Sequence, residues 1–197
     1  MQNRLIGLLV SVLPATSISA QRAFPNGALS SNERWDEIRS DWYSEELRVL
    51  HEPSLWREAR RADETVYRFL WLRAFHAPLC VCLRIHGGSA AITFKEGKYH
   101  GAGETGKLLQ TRTTPVSQER VAAFLKKVVE VHFWSIPSPN SDLGGADGSE
   151  WILEGAHGGD YKVVTAYNAP SGNPIRVLGF MLLFDLAHAH VPSNAIY

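Results

Sequence analysis

The sequence predicts an α+β domain: an antiparallel sheet of about six strands with helices layered on it, plus an N-terminal helical arm. Three observations lead there. Residues 79–86 (LCVCLRIH) alternate, with Leu79, Val81, Leu83 and Ile85 on one side and Cys80, Cys82, Arg84 and His86 on the other. That is the period of a strand with one core face. Gly87-Gly88 supplies a tight hairpin turn into a returning run, so these neighbours pair antiparallel. The helical patterns stand apart from the strand runs, which excludes βαβ units and a parallel doubly wound sheet.

Taken in order, residues 1–20 carry the pattern of a cleavable secretory signal: Arg4 without an acid, the apolar run LIGLLVSVL, then Pro14 and small residues ending at Ala20. The run is too short to span a bilayer, which takes about 20 residues. No later run is long enough either, so a periplasmic or secreted protein with no stable transmembrane segment after signal removal is expected. Residues 21–30 (QRAFPNGALS) read as a flexible leader, and residues 31–64 as the helical arm. Ser31 or Asn32 caps a helix reaching about Leu50. Within it Trp35, Ile38 and Trp42 form one stripe at helical spacing, with Tyr43, Leu47 and Leu50 beside it. Pro53 breaks this helix, and Ser54 caps a shorter one carrying Leu55 and Trp56.

Residues 65–197 form the α+β domain. Residues 66–73 (VYRFLWLR) read as the first strand, 79–86 as the second, 90–95 as the third and 108–114 as the fourth. Ser117 then opens an amphipathic helix with Val121, Phe124, Leu125, Val128 and Val129 on one face. Residues 151–155 and 161–167 are two more strands, joined at His157-Gly158-Gly159. Asn173 caps a last helix, with Pro174 at its first position. Its sequence, IRVLGFMLLFDLAHA, is apolar nearly all round, so it is sandwiched in the core or docked on another surface.

Formal net charge is zero, which leaves no electrostatic footprint for nucleic acid. Among candidate sites, Gly101-Ala102-Gly103-Glu104-Thr105-Gly106-Lys107 matches the start of a phosphate-binding P-loop. It lacks the Ser or Thr that must follow the lysine, and a strand rather than a helix follows. His76, Cys80, Cys82 and His86 offer soft ligands for copper or zinc. However, same-face side chains on one strand sit about 6.6 Å apart and run parallel, so they do not converge on one ion. The same spacing opposes a Cys80–Cys82 disulfide, whose β-carbons must lie about 3.8 Å apart. His188 and His190 point to different sides if helical. Glu150 and Glu154 share a strand face about 13 Å apart, too far for a glycosidase carboxylate pair. Glu154 with His157 and Asp160 makes an acid/base candidate; the competing reading has Glu154 paired with a basic residue of a neighbouring strand. No cofactor is implied.

Several phrases stand together: EPSLW at residues 52–56, YRFLWLR at 67–73, the strand pair around Gly87-Gly88, Phe133-Trp134, and DGSEWILEG at 147–155. In these the chain resembles a family of uncharacterised exported bacterial proteins, a domain of unknown function. The resemblance implies that Cys80 and Cys82 occupy ordinary aliphatic positions, and it brings no activity. The function expected is a non-enzymatic binding or interaction module of the bacterial envelope. Its partner would be an unknown envelope protein or small ligand, docked on the Trp-rich arm or the apolar last helix. The alternative is a hydrolase-like enzyme using Glu154, His157 and Asp160.

Overall fold

The computed structural model describes residues 22–59, 63–101, 105–140, 144–145 and 147–197. Residues 1–20, where a secretory signal is expected, and residues 102–104 of the glycine-rich loop lie outside the described residues.

The helical arm comprises α1 (Glu33–Val49) and α2 (Leu55–Glu58). The strands are β1 (Glu64–Arg73), β2 (His76–His86), β3 (Ser89–Tyr99), β4 (Thr105–Pro115), β5 (Ser149–His157) and β6 (Asp160–Tyr167). Between β4 and β5 lies α3 (Gln118–Glu130), and α4 (Pro174–Phe180) follows β6. All six strands form one antiparallel sheet in the order β4-β3-β2-β1-β5-β6. The α+β class is therefore as the sequence predicts, with the adjacency of β1 and β5 added by the structure.

Local signals in the sequence set the element ends. Asn32 caps α1 by accepting from the Trp35 N–H at 3.1 Å, and Asn173 caps α4 by accepting from Ile175 N–H at 2.9 Å. At the other end of α1, His51 takes a left-handed conformation, with φ of 54°. The His51 N–H bonds to Arg48 C=O and the Glu52 N–H to Leu47 C=O, a Schellman ending. That reversal turns Glu52 inward toward the sheet. The last helix is α-helical only to Phe180; Met181–Leu186 continue as a π-helical turn.

The sheet is covered on both faces. On one face Tyr67, Phe69 and Trp71 of β1 pack with Leu79, Val81 and Leu83 of β2, Trp151 and Leu153 of β5, and the buried sides of α3 and α4. Trp71 and Trp151 lie at a ring-centroid separation of 4.6 Å. A pair of this kind adds about 0.5–1.5 kcal/mol beyond its buried area. Gly179 of α4 sits directly on Phe69, whose ring atoms lie 2.9 Å from where a Cβ would be.

The arm covers the other face, where Leu70, Leu72, Cys80, Ile152 and Val163 meet Tyr43, Leu47 and Leu50. The strict alternation of β2 suggested a single core face; that expectation is corrected here, because the arm buries Cys80 and Cys82 as fully as their neighbours. Central β1 is consequently buried at every position from Val66 to Arg73. Residues 22–30 also differ from the flexible leader expected. Phe24 and Leu29 are buried against α1, and the Asp36 carboxylate accepts from the backbone N–H groups of Gly27 and Leu29, each at 2.8 Å. Among the described residues no helix is long and apolar enough to cross a membrane.

Candidate functional site

The chemistry-bearing side chains concentrate in the seam between arm and sheet. Arg68 of β1 is fully buried and lies opposite Cys82 on one neighbouring strand and Glu154 on the other. Its guanidinium donates from Nε to Glu154 Oε2 at 2.7 Å, with Nη2 at 2.6 Å from the same oxygen. Nη1 reaches the Pro53 carbonyl at 2.6 Å and Glu52 Oε2 at 3.3 Å. The Tyr161 hydroxyl donates to Glu154 Oε1 at 2.8 Å, and Lys95 Nζ lies 2.7 Å from Glu52 Oε1. Two cations and two carboxylates thus neutralise one another, and two of the partners, Glu52 and Pro53, belong to the turn that ends α1.

Burial opposes the charge on Arg68, but Glu154 and Glu52 beside it outweigh that and raise its pKa. Burial likewise pushes the Glu154 carboxyl up, against the pull of Arg68 and the Tyr161 hydroxyl. The competing reading of Glu154, a partner for a basic residue of the next strand, is what the structure shows. A groove lined by Ser44, Arg48, Glu52, Pro53, Arg57 and Glu58 opens over this cluster.

A second buried polar group lies under the middle of α1. Glu150 is buried near Arg39 and Tyr43, and its carboxyl is pushed up by burial, with Arg39 opposing. The Tyr43 hydroxyl and Glu150 Oε2 face this pocket without a hydrogen bond of good geometry among the described residues.

The acid/base candidates do not converge. Glu154 points into the arm seam, while His157, three residues on, belongs to the other set of alternating positions and is exposed. His157 Nδ1 lies 2.7 Å from Thr65 Oγ1, and Asp160 is exposed at the start of β6. The soft-ligand candidates are likewise separated. His76 and His86 stand at opposite ends of β2, about 33 Å apart at the rise of a strand. His76 meets the Tyr197 hydroxyl at 3.2 Å, and His86 lies 3.4 Å from Asp63. Cys80 and Cys82 are free and buried. Burial pushes the Cys80 thiol well up and that of Cys82 up to about 12, the environment of an inert thiol. Among the described residues no three His, Cys, Asp or Glu side chains are grouped to hold a metal ion. In the P-loop-like segment, Gly106 and Lys107 lie within β4, so no helix N-terminus follows the lysine. His188 caps the end of the last helix with φ of 49° and meets Arg120 Nη1 at 2.6 Å.

The surface of α1 is divided between a buried and an outward side. Its buried side is Asp36, Arg39, Ser40, Tyr43, Ser44, Glu46 and Leu47. Trp35 and Ile38 face outward at 56% and 43% exposure, with Trp42 half-buried. The helix therefore buries Tyr43 and Leu47 together with polar side chains that tie down residues 27–30, and it shows Trp35 and Ile38 to solvent while Trp42 packs against the arm-side core. The apolar last helix takes the opposite course: Ile175, Leu178, Leu182, Leu183 and Leu186 are buried in the core.

Fold and seam together define a sheet-and-arm α+β domain clasped by buried ion pairs. No protein-family model matches this chain, and no curated protein matches it.

Proposed function

We propose that the protein is an exported, non-enzymatic interaction module of the bacterial envelope, belonging to the family of exported proteins it resembles. It docks a partner protein through the outward stripe of α1. The observation that carries this is the outer side of α1: a helix that buries Tyr43 and Leu47 along with Asp36, Arg39 and Glu46 leaves Trp35 and Ile38 to solvent. Aromatic residues grouped on a surface are the usual anchors of a protein interface. Export is supported by residues 1–20, and it agrees with both thiols being held buried away from oxidants. The ionisable groups of the seam are matched to one another and to the α1 turn, a clasp rather than an acid, base or nucleophile facing a substrate.

A photo-activated cross-linking residue at Ile38 tests this in cells. Adduct to a partner is expected there and not from the same group at Val129, an exposed apolar site at 71% on α3. Equal labelling from both sites, or none from Ile38, removes the proposal.

A further inference from the structure

The two edges of the sheet are finished differently. Along β6, Asn140 imitates a strand: its side-chain oxygen accepts from Thr165 N–H at 2.7 Å and its amide donates to Thr165 C=O at 2.6 Å. The Ser138 hydroxyl donates to Val163 C=O at 2.8 Å. Three outward backbone groups of that edge, the Thr165 N–H and C=O and the Val163 C=O, are thereby satisfied within the chain. The opposite edge is β4. Among the described residues nothing covers it, and residues 109–113 are all exposed. A register irregularity interrupts its pairing with β3 at Leu109, which is 56% exposed. From residue 110 to 115 the register is regular.

We propose that this edge pairs antiparallel with β4 of a second copy of the chain, joining two six-stranded sheets about a two-fold axis perpendicular to them. This rests on the reading of α1 as a docking helix and names its partner. Such an axis keeps the arm on the same face in both copies. Helix α1 packs against β4. The N-terminal segment holds the far flank of α1, where Ala23 N–H donates to Ser44 and Arg22 pairs with Glu37 and Asp41. Trp35 and Ile38 lie on the opposite flank of α1, so in the joined sheet the two α1 helices turn those flanks toward each other over the paired β4 strands.

Charge permits the match. With Thr113 on the axis, Arg112 stands opposite Thr114; with Thr111 on the axis, it stands opposite Gln110. In neither register does a like charge meet its copy, and Arg112 is already turned onto the Ala187 carbonyl. Zero formal net charge leaves no general repulsion between copies. The contact is isologous and closes at two.

Sedimentation velocity of the purified protein over increasing concentration reads this directly. The mass is expected to double. Thr111→Lys/Thr113→Lys, which sets like charges face to face in either register, and Ile38→Glu are each expected to weaken the dimer tenfold or more. Hydrogen exchange of the unmodified protein supplies a check independent of variants: the outward-facing amides among residues 110–114 slow as concentration rises. A monomer at every concentration, or a dimer indifferent to the strand variant, overturns the pairing. If the monomer still yields the Ile38 cross-link to another protein, docking by α1 survives and only the second copy is wrong. If the strand variant alone breaks the dimer, β4 pairing stands without the stripe.

Discussion

Replacing Arg68 by Met tests whether the seam is a structural clasp. The substitution keeps much of the side-chain length and removes the contacts to Glu154 at 2.6 and 2.7 Å, to Glu52 at 3.3 Å and to Pro53 at 2.6 Å. Glu52 retains Lys95 at 2.7 Å, but Glu154, with no exposed surface, is left with only the Tyr161 hydroxyl at 2.8 Å. Breaking a buried pair and stranding one charge costs about 3–5 kcal/mol, a large part of a domain's total of about 5–15 kcal/mol. Arg68→Met/Glu154→Met removes the stranded charge and leaves the Tyr161 hydroxyl unpaired, a smaller cost of about 1–3 kcal/mol. The double variant is therefore expected to be more stable than Arg68→Met alone. Urea unfolding at neutral pH measures both, read as a change of midpoint at constant slope. A loss below about 1 kcal/mol in the single variant, or two single costs that simply add, refutes the clasp.

Three further outcomes follow from other parts of the molecule. Burial raises the Glu150 carboxyl above its ordinary 4.5, so above that pH the folded protein holds a proton the unfolded chain releases, and stability falls as pH rises toward the folded value. Glu150→Gln lacks this slope; the stability of the natural protein relative to the variant should shrink from about pH 4 to about pH 7, and a constant difference contradicts the assignment. A chromogenic disulfide reagent should label neither Cys80 nor Cys82 in the native protein and both after denaturation, since both are buried; fast native labelling would show that the arm lifts freely. Gly179→Ala forces a Cβ to 2.9 Å from the Phe69 ring and should cost about 1–3 kcal/mol by overpacking, whereas an unchanged melting temperature would mean that α4 is not seated on β1.

The elements were legible where a local signal sufficed. The Ser54, Ser117 and Asn173 caps stand where the sequence puts them, Asn32 is the one of the Ser31 and Asn32 alternatives that caps α1, and the alternation of β2 and the Gly87-Gly88 turn define a hairpin. What was not legible depends on distant partners. The pattern of β2 gives the parity of Cys80 and Cys82 but not that Tyr43, Leu47 and Leu50 come back to cover that side. Helical periodicity finds the Trp35–Ile38–Trp42 stripe and the Tyr43–Leu47–Leu50 set beside it but not which of the two is buried. Here Asp36 is committed to the N–H groups of Gly27 and Leu29, and Arg39 to the Leu29 carbonyl at 2.8 Å, which helps to turn the Tyr43–Leu47–Leu50 side inward and Trp35 and Ile38 outward. Glu154 illustrates the same limit at the site. The sequence offered a role in acid/base chemistry and a role as an ion-pair partner, and only the pairing of β1 with β5 brings Arg68 to it. Arg68, in the middle of VYRFLWLR, was the available signal, a charge inside a run otherwise fit for burial on both faces.

The orientation of α1 underlies the functional reading, and equilibrium unfolding of Ile38→Glu in dilute solution tests it most directly. With Ile38 outward, a charge there should leave stability within about 0.5 kcal/mol of the natural protein. A loss of several kcal/mol would place Ile38 in the core and remove the docking surface altogether.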